Sequence, residues 1–328
     1  MANVIIGIHG LGNKPDKKKL EHWWKMAMIE GLKTNDYKST LPKFELVYWA
    51  DIRYDKPLSE SEEITDPYFL DEPYVKASKN FHSENHNTRK KVVGFMNRQL
   101  NHLLLNKDYS LNYSKVSDTL IAKYFKDLDT YYKEGCTPEA ASNCNVKDLI
   151  NKRLIQLLNK YKNDNIMLVS HSMGSIVAFE VLNFELQAFD INFFITMGSP
   201  LGLPIIISKI AAEQKQFSSE KNHMSSPPSV SGHWYNFSDI LDKVAFNYEL
   251  ADDFSENERG IKPVDFLVVN NYEMKGKKNP HKSFGYLRTP EFAKILNDFI
   301  LVEKLNFAQK VGRKVKQTIQ TFKAGLIR

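Results

Sequence analysis

Six short runs rich in β-branched and aromatic residues are spread along the chain: Val4 to Ile8, Phe44 to Trp49, Ile166 to Val169, Phe193 to Met197, Trp234 to Phe237 and Val264 to Val269. Stretches with helical spacing separate them, and strands that alternate with helices pair side by side in parallel. The expected architecture is therefore α/β, a mostly parallel six-stranded sheet with helices on both faces. Helices are expected over Asp16 to Leu32, with Asp16 as its cap, over Asn145 to Lys160, over Met173 to Ala188, and from Pro290 onward. There Thr289 stands at the N-cap and Pro290 at the first helical position.

About 115 residues separate the second strand from the third, where a strand-to-helix connection normally needs about 2–6. An inserted subdomain follows. Its start, Leu58 to Pro73, is acidic and without a basic residue, as in an exposed loop. Thr88 to Leu105 and Val116 to Tyr132 carry apolar residues at helical spacing. The expected organisation is a core of residues 1–50 and 146–302, a mostly helical cap of 51–145 over one end of the sheet, and a basic amphipathic helix of 303–328. A second irregular stretch, Phe217 to Gly232, is rich in Ser and Pro and is expected to be a mobile surface loop.

With 42% hydrophobic and 26% charged residues among 328, the chain is outside the disordered, collagenous and membrane-embedded classes. Its longest apolar stretch, Phe193 to Ile207, is broken by Gly198, Pro200, Gly202 and Pro204, so strand, loop and helix are expected there. The start, MANVIIGIHG, has no basic leader, and Cys136 and Cys144 make no disulfide framework. A cytoplasmic protein with two free thiols is expected. The net charge of +6 lies wholly in the segment from Glu303 to Arg328, and the remainder is formally neutral, so no nucleic-acid partner is expected. That tail places Val302, Leu305, Ala308, Val311, Val315, Ile319, Phe322 and Leu326 on one helical face. Packing on its own domain, self-association or peripheral membrane contact are the uses open to it, packing being the first expectation.

The strand Ile166 to Val169 runs straight into Ser170-His171-Ser172-Met173-Gly174-Ser175 and then a helix. A serine at the apex of such a strand–turn–helix elbow, with small neighbours, is the arrangement of an activated nucleophile. The usual pattern is GxSxG, and here Ser170 stands in place of the first glycine. The strand Val4 to Ile8 likewise ends in His9-Gly10-Leu11-Gly12-Asn13, a glycine-rich turn without the spacing of a nucleotide-phosphate loop.

With these two turns the chain resembles the α/β-hydrolase superfamily, in its serine esterase and lipase-like branch. The resemblance implies an oxyanion hole made by the backbone N–H groups of Leu11 and Met173. It also implies that Thr196 to Gly202, TMGSPLG, lines the acyl side of the pocket. It further implies a sheet expected to begin at the oxyanion strand, without the fold's usual first hairpin.

In this superfamily the partners follow in the order Ser, acid, His. Of His223, His233 and His281, only His281 comes after the last strand, and it is the expected general base. The loop from Trp234 to Ala245 matches WxNxxDxxDxVA, which resembles the family's acid loop and makes Asp242 the acid, with Asp239 as the alternative. His171 is expected to be a pocket or packing residue. No HExxH motif or Cys/His cluster offers a metal site, and no cofactor is implied. The expectation is cleavage of a carboxylic ester, in a small acyl ester or lipid, through an acyl-enzyme on Ser172. A thioesterase, amidase or lipid deacylase would use the same residues. A non-catalytic binding or regulatory protein on the same fold would show a broken Ser172, Asp242, His281 set.

Overall fold

A computed structural model of the chain describes residues 1–59, 73–78, 105–106, 108–110, 131–132, 146–217, 224–245 and 247–304. The first strand, β1 (Asn3–Ile8), is buried along its whole length. Its side chains divide by parity: Val4, Ile6 and Ile8 enter one apolar cluster and Ile5 the other. A strand covered on both faces must do this, since successive side chains point to opposite sides of the sheet.

After β1 come α1 (Lys17–Thr34), β2 (Lys43–Val47), α2 (Val146–Lys160), β3 (Asn165–His171), α3 (Met173–Glu180), β4 (Ile191–Met197) and α4 (Pro204–Phe217). The chain continues through β5 (Val230–Asp239), β6 (Pro263–Val268), the strands β7 (Glu273–Met274) and β8 (Lys277–Lys278), α5 (Ser283–Tyr286) and α6 (Pro290–Lys304). The main sheet has the order β2-β1-β3-β4-β5-β6 with every neighbouring pair parallel, while β7 and β8 form a separate antiparallel pair. Ile150, Leu154, Ile176 and Ile206 from α2, α3 and α4 pack on one face of the sheet. Trp24, Phe284, Phe292 and Leu296 from α1, α5 and α6 pack on the other.

The caps are where the residue types place them: Asp16 accepts from the Lys19 amide at 3.1 Å, and the Thr289 hydroxyl accepts from Phe292 N at 3.3 Å. Three boundaries differ from expectation. β2 stops at Val47, and the Trp49 amide donates instead to His9 Nε2 at 3.0 Å. α3 ends at Glu180 and opens into a wide turn over Val181–Glu185, closed by Leu186 N on the Val181 carbonyl at 2.9 Å. β5 begins at Val230, inside the stretch expected to be a mobile surface loop. The described part of that stretch is pinned: Met224, Ser226 and Ser229 are buried. Ser229 Oγ donates to Leu182 O at 2.8 Å, and Asn257 Nδ2 donates to the Pro227 and Val230 carbonyls at 2.8 and 3.0 Å.

Most of the expected cap, including Cys136 and Cys144, and residues 305–328 of the expected tail helix lie outside the described residues. Two described pieces of the insertion rest on the core. Tyr131 and Tyr132 donate to the buried Glu180 carboxylate at 2.6 and 2.8 Å. Residues 73–78 are tied by the buried Arg288, which donates to Val75 O at 2.6 Å and pairs with Glu30 at 3.0 Å. Glu30 also accepts from Tyr74 OH at 2.8 Å and Ala77 N at 2.9 Å. Among the described residues no helix is long and apolar enough to cross a membrane.

The strand order locates the site. From β1 the chain crosses to β2 on one side and later to β3 on the other, so the loops leaving β1 and β3 diverge. Such a switch point opens a crevice at the carboxyl ends of the strands.

Candidate active site

Ser172 joins β3 to α3 at φ 54° and ψ −132°, a backbone conformation that side chains other than glycine's rarely adopt. The surroundings hold it there. Its amide donates to Met197 O at 3.0 Å, and its carbonyl accepts from Ser175 N at 2.9 Å and Ser175 Oγ at 2.6 Å. Missing side chains make the room: a Cβ on Gly174 would lie 2.7 Å from the carbonyl oxygens of Ile8 and His9, and one on Gly10 would lie 2.6 Å from Ser172 Cβ. The β1 loop therefore runs directly against the serine. Ser170, in the usual glycine place, is buried and donates its hydroxyl to Ile195 O at 2.7 Å.

The β1 loop is oriented by a side chain. His9 is buried and stacked on Trp49, ring centres 4.7 Å apart. Because Nε2 accepts the Trp49 amide, the ring proton sits on Nδ1 and donates to the Gly10 carbonyl at 2.8 Å. Burial, reinforced by the charge on Lys14, pushes the imidazole pKa down to about 3, so this neutral form is the resident one. A trans peptide holds its C=O and N–H antiparallel, and the bond that fixes Gly10 O thereby turns the Leu11 N–H away from the His9 ring. Lys14 secures the next peptide: its nearly buried ammonium donates to Leu11 O, and to Asn13 O at 3.3 Å. Met173 is the first residue of α3, and first-turn amides have no partner within their own helix.

The structure brings Ser172, His281 and Asp242 together. His281 Nε2 lies 3.0 Å from Ser172 Oγ, and Nδ1 lies 2.9 and 3.0 Å from the two oxygens of Asp242. The Asp242 side chain is fully buried and accepts from Val244 N at 2.9 Å and Ala245 N at 3.3 Å. Asp239 faces elsewhere, accepting from Leu241 N at 2.7 Å and Asn270 N at 2.6 Å. Tyr286, which the sequence did not single out, joins the two: its hydroxyl donates to Asp242 Oδ2 at 2.7 Å and accepts from Asp239 N at 3.0 Å. Burial first, then the charges of Asp242 and Asp239, raises its pKa well above the usual phenol value, so it stays a donor.

Asn270 and His171 fix the loop carrying His281. Asn270 Nδ2 donates to Pro280 O and Lys282 O, each at 2.8 Å, and His171 Nε2 donates to the His281 carbonyl at 2.6 Å. Burial, with the charges of His281, Lys14 and Lys282 adding to it, lowers the His171 pKa well below the ordinary imidazole value. His171 thus does more than pack, because it anchors the backbone of His281. Within the TMGSPLG turn, Gly198 packs closely on Asp242 and His281. A Cβ on Gly198, where φ is 54°, would fall 2.8 Å from Asp242 Oδ2 and 3.1 Å from His281 Nδ1. His233 lies within β5, stacked on Tyr235, and His223 is outside the described residues.

A cleft opens over Ser172 and His281; among the described residues Leu20, Trp24 and Phe284 are its apolar walls and Lys14 and Lys282 its charged groups. Among the described residues no group of three His, Cys, Asp or Glu side chains could hold a metal ion.

The model of the lecithin:cholesterol acyltransferase family matches residues 147–215, a segment that holds β3, the Ser172 turn, α3 and β4. The fold is of the α/β-hydrolase type. His9, Asp242 and His281 lie beyond the matched segment. No curated protein matches the chain significantly.

Proposed function

We propose that this chain is a serine acyl hydrolase or acyltransferase of the esterase and lipase type, cleaving a carboxylic ester through an acyl-enzyme on Ser172. The observation that carries the reading is the unbroken relay from Ser172 Oγ through His281 to a buried, hydrogen-bonded Asp242, at 3.0 and 2.9 Å. Similarity over residues 147–215 to a family named for lipid acyl transfer supports the same class of chemistry.

In this mechanism His281 Nε2 takes the proton as Ser172 Oγ attacks the carbonyl carbon. Asp242 keeps the other ring proton on Nδ1 and stabilises the imidazolium that forms. The oxyanion is held by the amides of Leu11 and Met173. His281 then protonates the departing alcohol. Water clears the acyl group in hydrolysis and a second alcohol does so in transfer, so both outcomes share every residue up to the acyl-enzyme.

The test is covalent labelling with a fluorophosphonate, read by intact mass. Wild type should gain one adduct and Ser172→Ala none, with labelling slowed by about 10⁴-fold or more in His281→Ala and Asp242→Asn. A folded wild type that neither labels nor cleaves esters, or that labels away from Ser172, overturns the reading.

A further inference from the structure

A lysine rarely lies inside a protein unless its ammonium is bonded there, and the loop after β1 contains one. Lys14 is 9% exposed and lines the cleft beside His9, Gly10 and Leu11. Its side chain folds back on its own loop, so that Nζ donates to Leu11 O, three residues earlier, and to Asn13 O at 3.3 Å. One side chain thereby closes the loop on itself.

The backbone of Lys14 is held from another part of the chain. Lys14 O accepts from Leu58 N at 2.9 Å and from Tyr48 OH at 3.3 Å, and Asn13 Nδ2 donates to Lys56 O at 3.0 Å. Residues that follow β2 therefore brace the point from which the ammonium reaches back.

The group that needs holding is the Leu11–Gly12 peptide. Gly12 has φ 82°, and glycine visits this side of the map about as readily as the other, so backbone sterics do not choose how that peptide is turned. The bond from Lys14 to Leu11 O chooses it. On the preceding peptide, His9 Nδ1 fixes Gly10 O at 2.8 Å. Leu11 thus has the carbonyl on either side of it bonded, and its N–H is left with one direction.

The ammonium also acts through space. Burial is the largest cause of the low pKa of His9 and of His171, and the charge of Lys14 adds to it at both rings. Both rings line the cleft. A field that opposes positive charge at these two places favours the negative charge that a carbonyl oxygen gains at the tetrahedral stage.

We propose that Lys14 is a positioning residue of the oxyanion hole, acting through the Leu11 peptide and by its charge rather than by binding the substrate. The inference rests on the acyl-enzyme reading of Ser172, with Leu11 as an oxyanion donor, and adds a residue to it.

The experiment uses the full chain and 4-nitrophenyl butyrate. Lys14→Met, close in length but without donor or charge, should lower kcat by about 10–10²-fold and leave KM within about threefold. A trifluoromethyl ketone, whose adduct with a serine places an oxyanion in the same hole, should have its inhibition constant raised by about the factor lost in kcat/KM. A role in folding alone would move neither constant in folded protein. Unchanged kcat in folded Lys14→Met overturns the proposal. A raised KM at constant kcat also overturns it, by making Lys14 a substrate-binding group, as does a fall in kcat with the ketone's inhibition constant unchanged. Should Lys14→Met not fold by circular dichroism, the neutral and shorter Lys14→Gln carries the same comparison, and failure of both to fold overturns the proposal by making Lys14 a residue of the fold. With wild-type Ser172 labelled by the fluorophosphonate, each of these failures leaves the hydrolase reading standing. A wild type that neither labels nor turns over overturns the hydrolase reading and this proposal with it.

Discussion

Around Ser172 the backbone is positioned by side chains that are absent, whereas around His281 it is positioned by side chains that are present. Gly10 and Gly174 let the β1 loop and the start of α3 close on the serine, with no room for a Cβ at either place. On the other side, Tyr286, Asn270 and His171 reach across the fold to Asp242 and to the loop of His281. The Ser172 side therefore breaks by addition and the His281 side by deletion. The first kind of constraint is local and rigid; the second is distributed and fails by degrees.

The largest effect is expected from Gly10→Ala, whose new methyl would meet Ser172 Cβ at 2.6 Å. The β1 loop must then retreat, and kcat/KM should fall by about 10²–10³-fold, as when one oxyanion donor is lost. Steady-state kinetics with circular dichroism separates this from unfolding, and near-wild-type turnover would remove the claim of close approach. Tyr286→Phe should act more mildly, since Asp242 keeps two backbone donors. About 1–3 kcal/mol of stability should go with the two hydroxyl hydrogen bonds that are lost, with a rate loss of about tenfold, read from denaturant midpoints and initial rates.

A pH experiment probes the neutral imidazoles. In the native state His9 refuses a proton until about pH 3, while an unfolded histidine takes one near 6.5, so the unfolded state binds more protons between those values. Stability is therefore lost as pH falls below about 6.5, by up to about 1.4 kcal/mol per unit for His9. The depressed His171 adds in the same direction. Denaturation at pH 7.5 and 5.5 measures the slope, and His9→Gln should flatten it; an unchanged slope would count against a neutral His9. The smallest effect is expected from Ser170→Gly, which restores the usual glycine. Losing the bond to Ile195 should cost about 0.5–1.5 kcal/mol and leave the rate within about twofold of wild type; a large loss of activity would show that Ser170 positions the elbow.

The same contrast explains what could be read in advance. Strand and helix alternation, the Ser172 elbow and the turn after β1 are written in consecutive residues, and the sheet is assembled from those runs. Chain order alone pointed to His281. The choice between Asp242 and Asp239 was open because both follow β5 in a loop. Geometry separates them: the Asp239 carboxylate caps the amides of Leu241 and Asn270, while Asp242 faces His281. Tyr286, more than forty residues downstream, carries no mark of this role in its own neighbourhood. The Ser and Pro content around Met224 suggested a loose segment, but polar side chains of this kind can equally bind backbone, as Ser229 does.

The seam between the insertion and the core also limits how the two could be exchanged. Residues 73–78 belong to the inserted stretch, yet Val75 and Tyr74 complete the surroundings of Arg288 and Glu30, and Arg288 follows α5 in the chain segment that carries His281. A chimaera that replaced residues 51–145 as one block would leave this buried guanidinium short of acceptors, seven residues beyond His281. Modular swapping would have to carry Pro73 to Ser78 along as a graft junction, so the unit that can be exchanged is smaller than the unit inserted.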